Sequence, residues 1–306
     1  MRYEFQKLEG FLVLDKPRGI TSNDVVQRVK KAFGFKKVGH TGTLDPLATG
    51  VMVLCIGAAT KFSRFVVEGK KKYRVSIRLG VSTDTFDSDG EVVSNKSTDG
   101  VTQDLVKGTL ELFRGKINQV PPMYSAIKKN GVPLYKMARQ GIKLEIDARE
   151  VSIYENKFLG LSNDLLELDI VCSRGTYVRT IAADLGDVLG CGAHVVGLRR
   201  LAVEPYGVGH LVSLEELESV EDSKILAEYL LPISSAFACW MEIDLSEEQS
   251  QLLRHGVRIE LPELGRPGEV SLYKKTLEGR RSFIGVGEVL ENGFLRSKRM
   301  TATSLD

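Results

Sequence analysis

The first apolar run, residues 11–14, predicts a short strand ending at Asp15-Lys16-Pro17. Thr21, Ser22 and Asn23 then offer side chains that cap helix starts. Val25, Val26, Val29, Ala32 and Phe33 follow at helical spacing, and Gly34 is the stop. Residues 39–50 are polar and rich in glycine, threonine and proline, a loop. Residues 51–56 are continuously apolar, which predicts a strand buried on both faces. Tyr73, Val75, Ile77 and Leu79 alternate with Arg74, Ser76 and Arg78, a half-buried strand with a basic outer face.

A turn-rich segment covers 84–90, a helix 102–113, and Val120-Pro121-Pro122 breaks what precedes it. Residues 123–141 carry Lys128, Lys129, Lys136 and Arg139 with Tyr124 and Tyr135, which predicts a mobile insertion, extending to about residue 150, that orders on RNA. Leu166, Leu168, Ile170 and Cys172 alternate as another strand. A turn at 173–176 leads into a helix over 177–189, with an apolar stripe of Val178, Ile181, Ala182, Leu185, Val188 and Leu189 and a stop at Gly190. Residues 195–203 are extended again. After Pro232 the pattern changes to short strand-like pieces, among them 285–290 and 293–295, so a domain boundary is placed near residue 235. Strands and helices without strict βαβ alternation predict an α+β fold.

A chain of 306 residues has room for two domains. No apolar run approaches the roughly 20 residues of a membrane span, and the first ten residues lack the apolar core of a signal peptide, so a cytoplasmic protein is expected. Cys55, Cys172, Cys191 and Cys239 are widely spaced, with no C-x-x-C pair, and Cys55 and Cys172 sit in strand-like runs as small hydrophobes. The net charge of +2 is uninformative, but its distribution is not. Lys61, Arg64, Lys70, Lys71, Lys72, Arg74 and Arg78 face one acid, Glu68. A second basic set, Lys274, Lys275, Arg280, Arg281, Arg296, Lys298 and Arg299, occupies the tail, while acids collect between residues 215 and 228. Such segregation favours a phosphate-rich partner.

Chemistry concentrates in the loop 39–50, where three glycines and a proline fix an irregular backbone around one acid, Asp45. The loop has neither the Gly-Lys-Ser/Thr ending of a phosphate loop nor G-x-G-x-x-G. Taken locally, Asp45 is either a turn aspartate capping its own backbone before Pro46 or a reactive carboxylate. His40 has no partner at metal-ligand spacing, and His194, His210 and His255 are scattered, so no zinc site is expected. Residues 85–90 imitate a calcium loop, but its twelfth position is Lys96 in place of a bidentate Glu, which leaves a turn. Arg179 lies in the first turn of its helix, opposing the dipole. It faces solvent or grips a carboxylate or phosphate.

Several segments together resemble one family. Gly39-His40-Thr41-Gly42-Thr43-Leu44-Asp45-Pro46-Leu47-Ala48-Thr49-Gly50-Val51 resembles the catalytic signature of the TruB tRNA pseudouridine synthases. Lys72-Tyr73-Arg74-Val75, then Leu79-Gly80 with Thr83-Asp84-Thr85 and Asp87, Pro121-Pro122-Met123-Tyr124-Ser125-Ala126, Ser173-Arg174-Gly175-Thr176-Tyr177-Val178-Arg179-Thr180 and Gly197-Leu198-Arg199-Arg200 match further blocks in order. The tail after about residue 236 is loosely similar to the small PUA-like RNA-binding domain that often ends this family.

The resemblance implies a pseudouridine synthase fold: a mixed, mainly antiparallel sheet flanked by helices over 1–235, with the insertion at about 123–150, and a β-rich PUA-like domain over 236–306. It implies an isomerase acting on uridine-55 in the T-loop of tRNA. Asp45 is then the essential residue, Tyr73 stacks on the target base, and Arg179 pairs with Asp45. His40 takes part in extruding the uridine, and Tyr177 and Leu198 line the pocket. Breaking N1–C1′ and rejoining the uracil through C5 gains no atom and moves no electron to an acceptor, so no cofactor and no metal are expected. Positive charge developing on the sugar wants an ionised carboxylate. Arg179 is expected to hold the Asp45 pKa down where burial raises it. Whether Asp45 attacks the sugar, attacks the base or takes a sugar proton stays open. The expected partner is tRNA, through its T-stem-loop, without a membrane and with the chain as a monomer. A non-catalytic RNA-folding protein, or a synthase for another RNA uridine, uses the same scaffold.

Overall fold

The computed structural model describes residues 2–142, 144–261, 266–275 and 281–301. One mixed sheet of eleven strands organises most of the chain. Its main path runs Val212–Ser213, Gly10–Lys16, Thr49–Ile56, Ala193–Val203, Lys71–Leu79, Leu165–Cys172, Arg149–Ser162 and Gly115–Gln119. Two contacts on that path are parallel, and the rest are antiparallel.

The continuous apolar run after the loop is a central strand for the reason its composition predicts. Met52, Leu54 and Ile56 point into one core and Val51, Val53 and Cys55 into the other, so neither face tolerates a polar residue. The first core lies under the helices Ser22–Phe33, Gln103–Leu110 and Val178–Val188. Ser22–Phe33 begins with a reciprocal cap between Thr21 and Asp24 and ends on Gly34 at φ 68°.

The second core is closed by the segment Phe62–Val66 and by residues of the tail. The Phe237 ring stacks on Phe283 at 5.6 Å, and Phe62 packs edge-on against Phe237 at 6.0 Å. The tail itself folds as a five-stranded sheet, Met241–Leu245, Gly268–Lys275, Arg281–Val289, Phe294–Met300 and Ile259–Glu260, with its own core under the helix Glu247–Arg254. The architecture is therefore α+β, a mixed, mainly antiparallel sheet flanked by helices, with a small β-rich domain at the C-terminal end.

Several expectations need correction. The helix expected over 102–113 is an α-helix, Gln103–Leu110, followed by a 3-10 turn, Glu111–Phe113. The 14-residue strand Arg149–Ser162 has no clean alternation because two register shifts, at Ile153/Glu155 and Phe158/Gly160, move its side chains between faces. The basic tail set is largely neutralised. Lys274 pairs with Glu247, Lys275 with Asp244, Arg281 with Glu242 and Asp244, Arg296 with Glu288, and Lys298 with Glu269. Arg280 lies outside the described residues. The insertion includes a short hairpin, Lys128–Lys129 with Val132–Pro133, and a helix, Leu134–Ala138, whose Leu134 is buried; residue 143 is not described. Among the described residues no helix is long and apolar enough to cross a membrane.

Candidate active site

Asp45 sits on a loop fastened from every side. Leu44 and Leu47, its near neighbours, are buried plugs in the first core. Ser22, the first residue of the capped helix, accepts from the Leu44 N–H at 2.8 Å and donates to the Leu44 carbonyl at 3.0 Å. The Ala48 N–H closes a turn onto the Asp45 carbonyl at 3.0 Å. Two buried cations hold the remaining carbonyls. Lys16, fully buried, donates to Pro17 at 2.9 Å, Ala48 at 2.8 Å and Pro46 at 3.4 Å. Arg200, 1% exposed, donates to Val51 at 2.7 Å, Gly42 at 3.1 Å and Thr43 at 3.4 Å. Burial lowers the Lys16 pKa to about 8, against the opposing pull of Asp45. Gly50 is required where the loop joins its strand: its φ is +99°, and a Cβ there would sit 2.2 Å from the Arg200 carbonyl oxygen.

Arg179 is buried, with 4% of its side chain exposed. Its Nε lies 2.8 Å from Asp45 Oδ2 and its Nη1 lies 3.2 Å from Asp87 Oδ2. The Nε contact is an ion pair off the N–H direction, since that donor makes no hydrogen bond. Nη1 and Nη2 donate to the Thr85 and Tyr124 carbonyls at 2.8 and 2.9 Å. One guanidinium thus ties together the Asp45 loop, the 84–90 turn and the start of the insertion. The segment rejected as a calcium loop is indeed a turn, but Asp87 in it is a second carboxylate of the site. Thr85 Oγ1 donates to it at 2.6 Å and the Asp89 N–H at 3.1 Å.

Both expected influences act on Asp45, and burial outweighs Arg179. Its carboxyl is raised above the ordinary carboxylate range: burial is the largest cause, Arg179 opposes it, and Asp87 adds to it. The guanidinium compensates only part of the desolvation, because Asp87 competes for the same charge. One third of the Asp45 side chain remains accessible at the cavity mouth.

Asp45, Tyr73, Tyr177, Arg179 and Leu198 all line one cavity of about 250 Å³. Tyr73 belongs to the buried side of Lys71–Leu79, paired with Arg200 on one side and Ile170 on the other. Burial pushes its phenol up, with Arg200 pulling it down. Leu198 lies across from Val75. Tyr177 precedes the helix Val178–Val188. Its N–H donates to Gln119 Oε1 at 2.8 Å, and its carbonyl accepts from Gln119 Nε2 at 3.0 Å. His40 is not part of the lining. It ends the strand Val38–His40, and its Nδ1 accepts from the Gly42 N–H at 3.3 Å. Burial and Arg200 lower its pKa.

The basic face expected around Tyr73 is reduced. Arg74 does face outward, but Asp169 holds it through two hydrogen bonds of 2.9 and 3.0 Å. Lys71 is turned inward, donating to the Val67 and Gly69 carbonyls, and burial lowers its pKa to about 8. Cys55, Cys172 and Cys191 are buried and Cys239 is exposed. Burial pushes the Cys55 thiol up to about 12 and Cys172 to about 11, which makes them poor nucleophiles.

The chain is similar to known proteins along almost its whole length. The TruB family pseudouridylate synthase N-terminal domain matches residues 30–178. The tRNA pseudouridylate synthase B C-terminal domain matches 179–238, and the pseudouridine synthase II TruB C-terminal domain matches 242–301. The chain is 44% identical over 301 residues to tRNA pseudouridine synthase B of Nitrosococcus oceani, covering 98% of this chain and 96% of that one. It is 42% identical over 308 residues to the protein of the same name from Aeromonas salmonicida, covering 98% and 95%. A chain in the crystal structure of a Cbf5-Nop10-Gar1 complex shares the fold with a TM-score of 0.71 at 22% identity, over 97% of this chain and 86% of that one. Similarity of this degree along almost the whole length, with family domains matched in order, means that the chain belongs to the TruB family of pseudouridine synthases.

Proposed function

We propose that this chain isomerises uridine-55 in the T-loop of tRNA to pseudouridine, with Asp45 as the catalytic carboxylate. The observation that carries the reading is the Asp45–Arg179 pair at 2.8 Å, set beside Tyr73 in a cavity large enough for about one nucleoside. Relatives named tRNA pseudouridine synthase B match the chain end to end, which supports tRNA as the substrate. In the reaction N1–C1′ breaks with its electron pair leaving on the uracil, the uracil turns, C5 bonds to C1′, and the C5 proton departs. Asp45 opposes or captures the positive sugar carbon, and Arg179 and the loop hold it at that carbon. Tyr73 receives the flipped base by stacking, Tyr177 and Leu198 close the pocket around it, and His40 assists extrusion from the RNA.

Around this centre the reading assigns residues 1–235 to catalysis, with the 123–150 insertion contacting RNA, and 236–306 to a PUA-like RNA-binding domain. It takes the chain as a cytoplasmic monomer that meets tRNA through the T-stem-loop. Release of tritium from tRNA carrying C5-labelled uridine tests the whole reading, since only C5 substitution liberates that label. No release by the wild-type chain overturns it.

Two measurements follow. Because the working form of Asp45 is the carboxylate and burial raises its pKa, kcat/KM falls as pH drops through that raised value. The acid limb therefore lies above the ordinary carboxylate range, and a limb at or below that range contradicts the assignment. For Tyr73, stacking is worth about 1–3 kcal/mol per base, so Tyr73→Leu loses turnover with little change in melting temperature. If the hydroxyl also carries the C5 proton away, Tyr73→Phe loses turnover too, as expected here, and intermediate accumulates. A destabilised Leu variant that stays fully active per folded molecule removes Tyr73 from the site.

A further inference from the structure

Five cationic side chains line the cavity at Asp45: Lys71, Arg149, Arg174, Arg179 and Arg200. Four are committed to protein partners. Lys71 and Arg200 donate to backbone carbonyls, Arg174 pairs with Glu68 at 2.8 Å, and Arg179 pairs with Asp45 and Asp87. Arg149 is different. It opens the strand Arg149–Ser162, and its guanidinium carbon lies 4.9 Å from the centre of the Tyr177 ring. Nη2 donates to the Gly175 carbonyl, while among the described residues Nη1 makes no hydrogen bond and Nε is buried without an acceptor. Among the described residues no carboxylate lies within ion-pair distance of it.

Such a group is incomplete as it stands. A buried N–H without an acceptor costs about 1–3 kcal/mol, so a fold that keeps one at a cavity wall gains when a ligand supplies the acceptor. Stacking on Tyr177 and the bond to Gly175 fix the guanidinium plane, which lowers the entropy lost on binding. Nη1 is the donor left for a ligand, a charged N–H that suits a phosphate oxygen, and a nucleotide drawn into the cavity brings a phosphodiester on each side of it.

We infer that Arg149 binds a backbone phosphate flanking the uridine that enters the cavity. This rests on the reading of the cavity as a site for a uridine within RNA. Arg149 then fixes how deep the nucleotide sits without touching the bond that changes.

The test compares wild type, Arg149→Gln and Arg149→Lys on tRNA over a range of salt concentrations, with melting temperatures measured alongside. Loss of one phosphate contact flattens the slope of log KM against log salt by about 0.7, and Arg149→Gln is expected to show that change with KM raised roughly tenfold. Arg149→Lys keeps the charge and so the slope, with an intermediate KM because the fork is lost. A purely structural Arg149 lowers the melting temperature of both variants and leaves the slope of the folded protein as in wild type, which overturns the inference. A wild-type chain that binds the RNA but releases no tritium overturns the proposed reaction instead. The same salt series, read by RNA binding, then still decides on Arg149.

Discussion

Asp45→Asn abolishes tritium release while the fold and RNA binding persist. The amide is nearly isosteric with the carboxylate, so Leu44 and Leu47 stay in the core and the loop stays on Lys16 and Arg200. What disappears is the negative charge and the nucleophilic oxygen on which the proposed reaction rests. Loss of that group should raise the barrier by several kcal/mol, leaving turnover below about one per cent of wild type. Turnover above that level shows that another group does the work of Asp45. Binding of tRNA within a few-fold of wild type completes the expected result, and lost binding means the substitution disturbed the loop rather than the chemistry.

Arg179→Met should be nearly as damaging to activity and much more damaging to stability. The guanidinium stands between Asp45 and Asp87 and also satisfies the Thr85 and Tyr124 carbonyls. Removing it leaves the Asp45 and Asp87 carboxylates without their shared cation, and losing one partner of a buried ion pair costs about 3–5 kcal/mol. The sign with pH follows from Asp45, whose pKa is already raised and rises further without Arg179. The penalty is fully present above that raised value, and it shrinks as pH falls from there towards the ordinary carboxylate range, because protonation removes the repulsion. Denaturant unfolding at neutral and acidic pH checks this. An equal loss at both, or residual activity with an unmoved acid limb, contradicts the electrostatic role.

Much of the site was legible because its chemistry is packed into one peculiar loop. Three glycines, a proline and one acid within residues 39–50 single out the loop, while the choice between a turn cap and a reactive carboxylate at Asp45 came from the family resemblance. The alternation that starts at Tyr73 likewise places its ring on the buried side before any strand pairing is known. Asp87 escaped because its own neighbourhood reads as a turn, and only Arg179, 92 positions away in a different element, makes it part of the site. Lys16 and Arg200 escaped for a related reason. A charged residue next to an apolar run is expected to leave it for water, and their burial depends on carbonyls from a loop elsewhere in sequence. The basic tail misled in the opposite direction: three of its acids, Glu242, Asp244 and Glu247, precede it and meet it only across paired strands and the helix of the same small domain. The strand Arg149–Ser162 hid behind its bulges.

The double clamp on the Asp45 loop also says where deformation must occur. Carbonyls at Gly42, Thr43, Pro46, Ala48 and Val51 are all held by two charges with nowhere else to go, so the backbone around the carboxylate has almost no freedom to reach toward a substrate. The RNA must therefore come to the loop. The whole cost of unstacking and swinging out the target nucleotide falls on the nucleic acid, a few kcal/mol that depends on how tightly that nucleotide was held. With a rigid receptor, discrimination among uridines becomes a matter of mechanical compliance: a uridine in a loop already bent and weakly stacked is admitted, and one locked in a regular helix is refused even if its neighbours are identical in sequence.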